Sequence, residues 1–220
     1  MELQTLKKLV RQGEGLHVEF KLKAKFPEKI VREMAAFANA EGGTVFIGVS
    51  DDRKIFGLKN ANEEEFVMIR ALERYCSPPL SYSIEKVPID DSHEVLAFIV
   101  PKSPDAQVYY ILENPKRKTT PKRVYIRVAD RTIQASKEMR EILKGRQKQK
   151  NFGFQYGLKE QQLFKYLDRN PFITVKTFAQ EVDITRAIAS RTLVLLVLAG
   201  VLQIIPNEVE DRFYLASDQP

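Results

Sequence analysis

Apolar positions recur along the chain in two rhythms. Glu2 to Arg11 places Leu3, Leu6, Leu9 and Val10 on one helical stripe, and Gly13 and Gly15 end it. His17 to Leu22 alternates, which predicts a strand with Val18, Phe20 and Leu22 inward and His17, Glu19 and Lys21 on the other face. Pro27 opens a helix whose buried positions are Ile30, Met34 and Phe37. Gly42-Gly43 closes that helix, and the near-continuous apolar run Thr44 to Val49 predicts a central strand. Asp51 to Lys54 then turns the chain into a short strand at Ile55 to Leu58. A second amphipathic helix over 62–75 is stopped by Ser77-Pro78-Pro79. Ser81 to Ile89 and Glu94 to Pro101 form a hairpin around Asp90-Asp91-Ser92, and Gln107 to Leu112 and Lys122 to Val128 are further strands.

The pattern changes after the polar stretch Lys137 to Lys150. Leu158 to Leu167 is helical until Asn170-Pro171, and Thr174 caps a helix running through Val182. A third helix opens at Asp183 or Thr185 and runs to Ala199, where Gly200 stops it. Two short strands follow, Val201 to Ile205 and Arg212 to Leu215, joined by the acidic turn Pro206 to Asp211. Three helices followed by a hairpin predict a winged helix-turn-helix. The expected architecture is an α/β (α+β) N-terminal domain with a mixed sheet over 1–136, a basic helix or linker over 137–156, and a winged helix over 157–220.

Charge is divided unevenly between these parts. The chain carries a formal +6 with an isoelectric point near 9.3. Residues 1–150 hold 28 Lys and Arg against 21 Asp and Glu, whereas residues 151–220 hold 7 against 8. The basic excess therefore lies in the first part, which favours a polyanionic partner there. One loop, Lys116 to Arg123, carries Lys116, Arg117, Lys118, Lys122 and Arg123 with no acid, and is the leading phosphate-contact candidate. Tyr109, Tyr110 and Tyr125 lie near it in sequence for stacking on bases, and Arg127 and Arg131 flank the last strand. In the third C-terminal helix, Thr185, Arg186, Ser190 and Arg191 fall on the polar side, where a DNA reader faces the major groove. Against that role stand the all-round apolar run Leu193 to Leu198 and an acidic wing carrying Glu208, Glu210 and Asp211.

Several classes are disfavoured. Cys76 is the single cysteine, and His17 and His93 are the only histidines, so an internal disulfide framework and a Cys- or His-based zinc site are excluded. There is no P-loop motif. No apolar run reaches the ~18 residues of a membrane span, and Met1-Glu2-Leu3-Gln4 lacks the pattern of a secretion signal, so a cytoplasmic location is expected.

The acids allow one piece of chemistry. Glu14 precedes the first strand, Glu19 lies on it, and Asp51 and Asp52 follow the apolar strand. If the two strands are neighbours, these acids meet at one end of the sheet with Lys21 beside them. Such a cluster could hold Mg²⁺ or Mn²⁺ for phosphodiester cleavage, with Lys21 stabilising developing charge. Glu-x-Lys on a strand and Asp-Asp at a strand end are equally ordinary architecture.

Two motifs carry a family resemblance. Gly13-Glu14-Gly15-Leu16-His17-Val18-Glu19-Phe20-Lys21 resembles the opening motif of Schlafen-type AlbA domains, and Phe37-Ala38-Asn39-Ala40-Glu41-Gly42-Gly43 followed by Thr44 to Val49 resembles their helix-to-strand junction. Val100 to Ser103 and Tyr125 to Val128 are similar to two later strand motifs, so the resemblance spans roughly 5–137. It implies a domain that binds DNA or RNA. In animal Schlafen proteins it also implies a divalent-metal endoribonuclease acting on structured RNA, in which two of three acids correspond to Glu14 and Glu19 and the third to Asp51 or Asp52. Those enzymes pair two such lobes, so one lobe here implies a homodimer if the groove is rebuilt. Single-lobe relatives are described as DNA-binding or transcription-regulating proteins. Three functions stay open: a DNA-binding transcriptional regulator, a Schlafen-type endoribonuclease, and a dimeric protein-interaction adaptor.

Overall fold

The computed structural model describes residues 1–117, 119–148 and 153–217. They divide into two compact units, Met1–Gln134 and Ala135–Pro220.

The first unit runs α1 (Leu3–Gln12), β1 (Val18–Lys21), α2 (Pro27–Asn39), β2 (Gly43–Ile47), α3 (Ala61–Tyr75), β3 (Cys76–Ser77), β4 (Ser83–Asp90), β5 (His93–Val100), β6 (Tyr110–Leu112), β7 (Lys122–Arg123), β8 (Tyr125–Val128) and β9 (Arg131–Gln134). The main sheet has the order β1-β2-β5-β4. β1 and β2 are parallel and the other pairs antiparallel, so the sheet is mixed. A short β3-β6-β7 sheet and a β8-β9 hairpin complete the unit. The expected strand at Ile55 to Leu58 is absent; the backbone there makes only isolated bridges, Val49 with Ile55 and Leu58 with Glu94.

Both faces of the main sheet are covered. On one, Phe20, Phe46, Val87, Val95 and Ala97 pack with Leu6 and Val10 of α1. On the other, Val45, Ile47, Leu96, Phe98 and Val100 pack with α2 and α3. Glu19 pairs in register with Val45 and so faces α2, not solvent. Leu22 lies beyond the strand and is exposed, so the alternation expected of β1 ends at Lys21.

α2 is more deeply embedded than its apolar period implies. Val31, Ala35, Ala36 and Ala38 are buried along with Ile30, Met34 and Phe37, and β8 packs against this helix. The helix therefore sits between the main sheet and the β8-β9 hairpin. Its exit is sterically fixed: a Cβ on Gly43 would lie 2.5 Å from the Phe37 ring, and one on Gly42, at φ 80°, would lie 2.7 Å from the Lys102 amide nitrogen.

The second unit comprises α4 (Lys137–Gln147), α5 (Leu158–Leu167), α6 (Val175–Glu181), α7 (Arg186–Leu198) and the antiparallel pair β10 (Leu202–Ile205) and β11 (Arg212–Leu215). Ile173 and Phe213 exchange backbone hydrogen bonds at 2.9 and 2.8 Å, which ties the segment before α6 to the hairpin. α4 belongs to this unit and is not a free linker. Ser136 caps it by accepting from the Met139 amide, Ile142 is fully buried, and a Cβ on Gly145 would meet Leu198 at 2.6 Å. No described helix is long and apolar enough to cross a membrane.

Candidate nucleic-acid interface

The residues around β1 form an ion network. The Arg127 guanidinium, 1 % exposed, reaches from β8 to the outer edge of β1. Its Nε and one terminal nitrogen donate to the Gly15 carbonyl at 3.0 and 2.9 Å, and it pairs with Glu19 at 2.7 Å and Glu33 at 3.4 Å. The cation also sits over the Phe37 ring, 5.0 Å from its centroid. Lys21 donates to the other oxygen of Glu19 and to the Phe20 carbonyl. Glu14 accepts the Phe20 amide proton at 2.8 Å. Arg127 and Glu14 thus satisfy backbone groups that an edge strand otherwise leaves open.

Two acids of this network, Glu33 and Glu14, hold their protons more tightly than free carboxylates. Glu33 is raised chiefly by burial and by Glu19, while Thr132 and Arg127 pull it back. Glu14 is raised by desolvation and by the negative charges of Glu19 and Asp51, against the Phe20 amide and Lys21. Asp52 points elsewhere, to Lys54 and Ser50, whose pull lowers it.

Asn39, at the C-terminal end of α2, is the second anchor. Its amide donates to the carbonyls of Tyr109 and Tyr125 at 2.9 and 3.0 Å, and its oxygen accepts the Tyr109 amide proton at 2.8 Å. One side chain thereby ties α2 to two later segments. His17 holds the Gly42 carbonyl through Nδ1 at 2.9 Å, fixing the same junction from the other side.

The basic loop closes the β6–β7 turn. The Thr120 hydroxyl accepts the Asn114 amide, and the Asn114 carbonyl accepts the Arg117 amide. Lys116, Arg117 and Lys122 are exposed and make no ion pair among the described residues. Lys118 lies outside the described residues. Arg123 is committed internally, to Glu113 and to Gln134 at 2.6 Å. Arg131 is exposed.

In the second unit, Thr185 caps α7 by accepting the Ile188 amide at 3.3 Å, and Ser190 is buried, donating to Glu138 at 2.6 Å. Arg186 and Arg191 stay exposed. Two acids of the turn accept hydrogen bonds from neutral donors inside the fold. Asp211 is buried, accepting from the Ser136 hydroxyl and the Asn207 amide, and burial raises its pKa. Glu210 accepts the Lys176 amide at the start of α6.

The Schlafen, AlbA_2 family model matches residues 14–136, more than half of the chain and nearly all of the first unit. The chain belongs to this family. Membership of the Schlafen AlbA_2 family points to a nucleic-acid-binding protein. A crystal structure of the DIP2311 protein from Corynebacterium diphtheriae is similar at 18% identity and a TM-score of 0.41, over 63% of this chain and 25% of that one. The chain thus spans about a quarter of that protein's length. No curated protein matches the chain.

Within this Schlafen AlbA_2 unit, two residues expected at the surface are internal. Arg127 is a buried tie between β8 and β1 and has no access to a phosphate, and Tyr109 is buried in the core with no open ring face. The divalent-metal site that animal Schlafen enzymes imply would draw on Glu14, Glu19 and Asp51 or Asp52. Both oxygens of Glu19 are taken by Lys21 and Arg127, one Glu14 oxygen holds a backbone amide, and Asp52 is turned to Lys54. Among the described residues, no three carboxylate, histidine or cysteine side chains are grouped so as to hold a metal ion. Sequence reasoning missed Glu33, whose place on a helix gave no sign of its burial. The signal available was an arginine flanked by Ile126 and Val128, which needs a carboxylate partner if its strand is covered.

Proposed function

We propose that the chain is a cytoplasmic DNA-binding transcriptional regulator whose first unit makes the phosphate contacts. The observation that carries this is the set of exposed cations Lys116, Arg117 and Lys122 on one loop, which no acid neutralises among the described residues. Such cations bind a polyanion by releasing its counterions, without regard to sequence. Family membership supports the same class of ligand.

The second unit is read as a winged helix-turn-helix. The order α5, α6, α7 and hairpin, with Thr185 at the start of α7 and Arg186 and Arg191 exposed along it, supports this. A homodimer fits the exposed Tyr156 and Leu158 of this unit. Light scattering on the full chain tests it, and a monomer at all concentrations removes it.

Fluorescence anisotropy with a labelled duplex tests the binding. Three phosphate contacts predict a log Kd that rises with log salt at a slope of about 2.7 from this loop alone. A full chain that binds neither DNA nor RNA at low salt refutes the proposal. Because the acids around β1 are tied to Arg127 and Lys21, the account assigns them to architecture and predicts no cleavage of either polymer.

A further inference from the structure

A second surface of the first unit leaves apolar side chains open to solvent. Four large apolar side chains stand open there: Phe66 at 65 % exposure, Phe26 at 51 %, Leu22 at 46 % and Val67 at 40 %. They come from two places, the segment leading into α2 and the outer side of α3, so their proximity is a product of folding. Two grooves run along this face. One, of about 630 Å³, is lined by Lys21, Leu22, Lys23, Lys25, Glu63 and Val67 among others, and the second, of about 740 Å³, by Pro27, Phe66, Val67, Arg70, Arg74 and Lys116 among others. Val67 lines both. The path leads from the end of β1 across α3 to the basic loop.

Charge lies along the same path. Lys29 and Lys25 sit 4.8 and 5.6 Å from the centre of the Phe26 ring. Phe66, Arg70 and Arg74 recur at every fourth position of α3 and so share one side of it. Arg74 lies over the Tyr75 ring at 5.3 Å. The acids on the path are Asp51, Glu63, Glu64 and Glu73, of which Glu64 accepts the Ala24 amide at 2.7 Å and Glu73 pairs with Arg70 at 3.1 Å. Open rings alternating with cations match a polymer that carries a planar base and a phosphate in each repeat. They suit unstacked bases, because a duplex keeps its base faces closed.

We infer that this face is a track for single-stranded nucleic acid, with Phe66 as the stacking platform and Lys23, Lys25, Lys29 and Lys116 as phosphate contacts. The inference rests on the nucleic-acid-binding reading above and specifies the form of polymer bound.

The test uses the full chain in anisotropy titrations with three labelled probes: an oligothymidylate and an oligouridylate of about 20 nucleotides, and a DNA duplex of the same length. Phe66→Ala weakens both single strands about tenfold or more, the loss of one stacked base, leaves the duplex within about twofold, and Phe66→Tyr restores single-strand binding. Phe66 is exposed, and a thermal melt of Phe66→Ala matching the wild type shows that the fold is kept. Unchanged single-strand affinity, or equal loss on the duplex, overturns the track while leaving the binding reading intact. A shift from dimer to monomer on Phe66→Ala, by light scattering, assigns the face to a second copy and also overturns it. A wild-type chain that binds none of the probes overturns the binding reading itself.

Discussion

Removing the Arg127 guanidinium leaves Glu19 and Glu33 facing each other without the cation between them. It also frees the Gly15 carbonyl and opens space over the Phe37 ring. Truncating one member of a buried ion network costs about 3–5 kcal/mol, because the remaining charges stay desolvated. For a unit of this size each kcal/mol moves the midpoint by roughly 3–5 °C, so Arg127→Ala unfolds about 10–20 °C earlier at pH 7.5. The loss depends on pH with a defined sign. Glu33 already has a folded-state pKa above its ordinary 4.5, and Arg127 is one of the groups that hold it down. Without Arg127 it rises further, so the folded state of the variant takes up a proton more readily than its unfolded chain. The stability this provides is full below the ordinary carboxylate range and is lost as pH rises through the folded pKa. The gap between wild type and variant is therefore smaller at about pH 5 than at pH 7.5. Circular dichroism melts at the two pH values measure it. A penalty under about 1 kcal/mol, or one of equal size at both, refutes the view of Arg127 as a buried tie. At a temperature where both are folded, the variant binds nucleic acid as the wild type does, since Arg127 touches no ligand.

Asn39→Ala strands the Tyr109 amide and the carbonyls of Tyr109 and Tyr125, and is expected to cost about 3 kcal/mol in urea denaturation. Asn39→Asp keeps the acceptor for Tyr109 but loses both donors, and so fails to restore stability; full recovery by Asp contradicts the assigned bonds. Cys76 is the only thiol, and burial pushes its pKa up to about 12. A thiol reagent at pH 8 is therefore expected to label the folded chain slowly and the denatured chain at once; equal rates contradict the burial.

Much of the first unit was legible because its strands and helices obey simple periods. β2 read as a central strand since both of its faces are covered, and the Gly42-Gly43 junction read as architecture because only glycine avoids Lys102 and Phe37 there. The Asn39 side chain was expected to satisfy neighbouring backbone groups, and it does. What escaped the sequence depended on layers that no local period records. α2 has a second buried side because a hairpin almost ninety residues later covers it. Glu19 and Arg127 looked like solvent-facing strand residues for the same reason: alternation says which residues share a face, not whether that face is covered. The acidic turn after β10 gave no sign that Asp211 is buried, accepting from the Ser136 hydroxyl and the Asn207 amide, or that Glu210 accepts the Lys176 backbone amide. The open side chains Phe26 and Phe66 had no sequence signal, since exposed aromatic residues read as members of an ordinary apolar stripe.

The central claim is that exposed cations of the first unit, not the buried network around β1, contact nucleic acid. Salt titrations of binding by the wild type and by Lys116→Ala/Arg117→Ala/Lys122→Ala test it most directly. The account predicts that the triple variant binds more weakly and that its slope of log Kd against log salt falls by about 2.7. An unchanged affinity and slope contradict it.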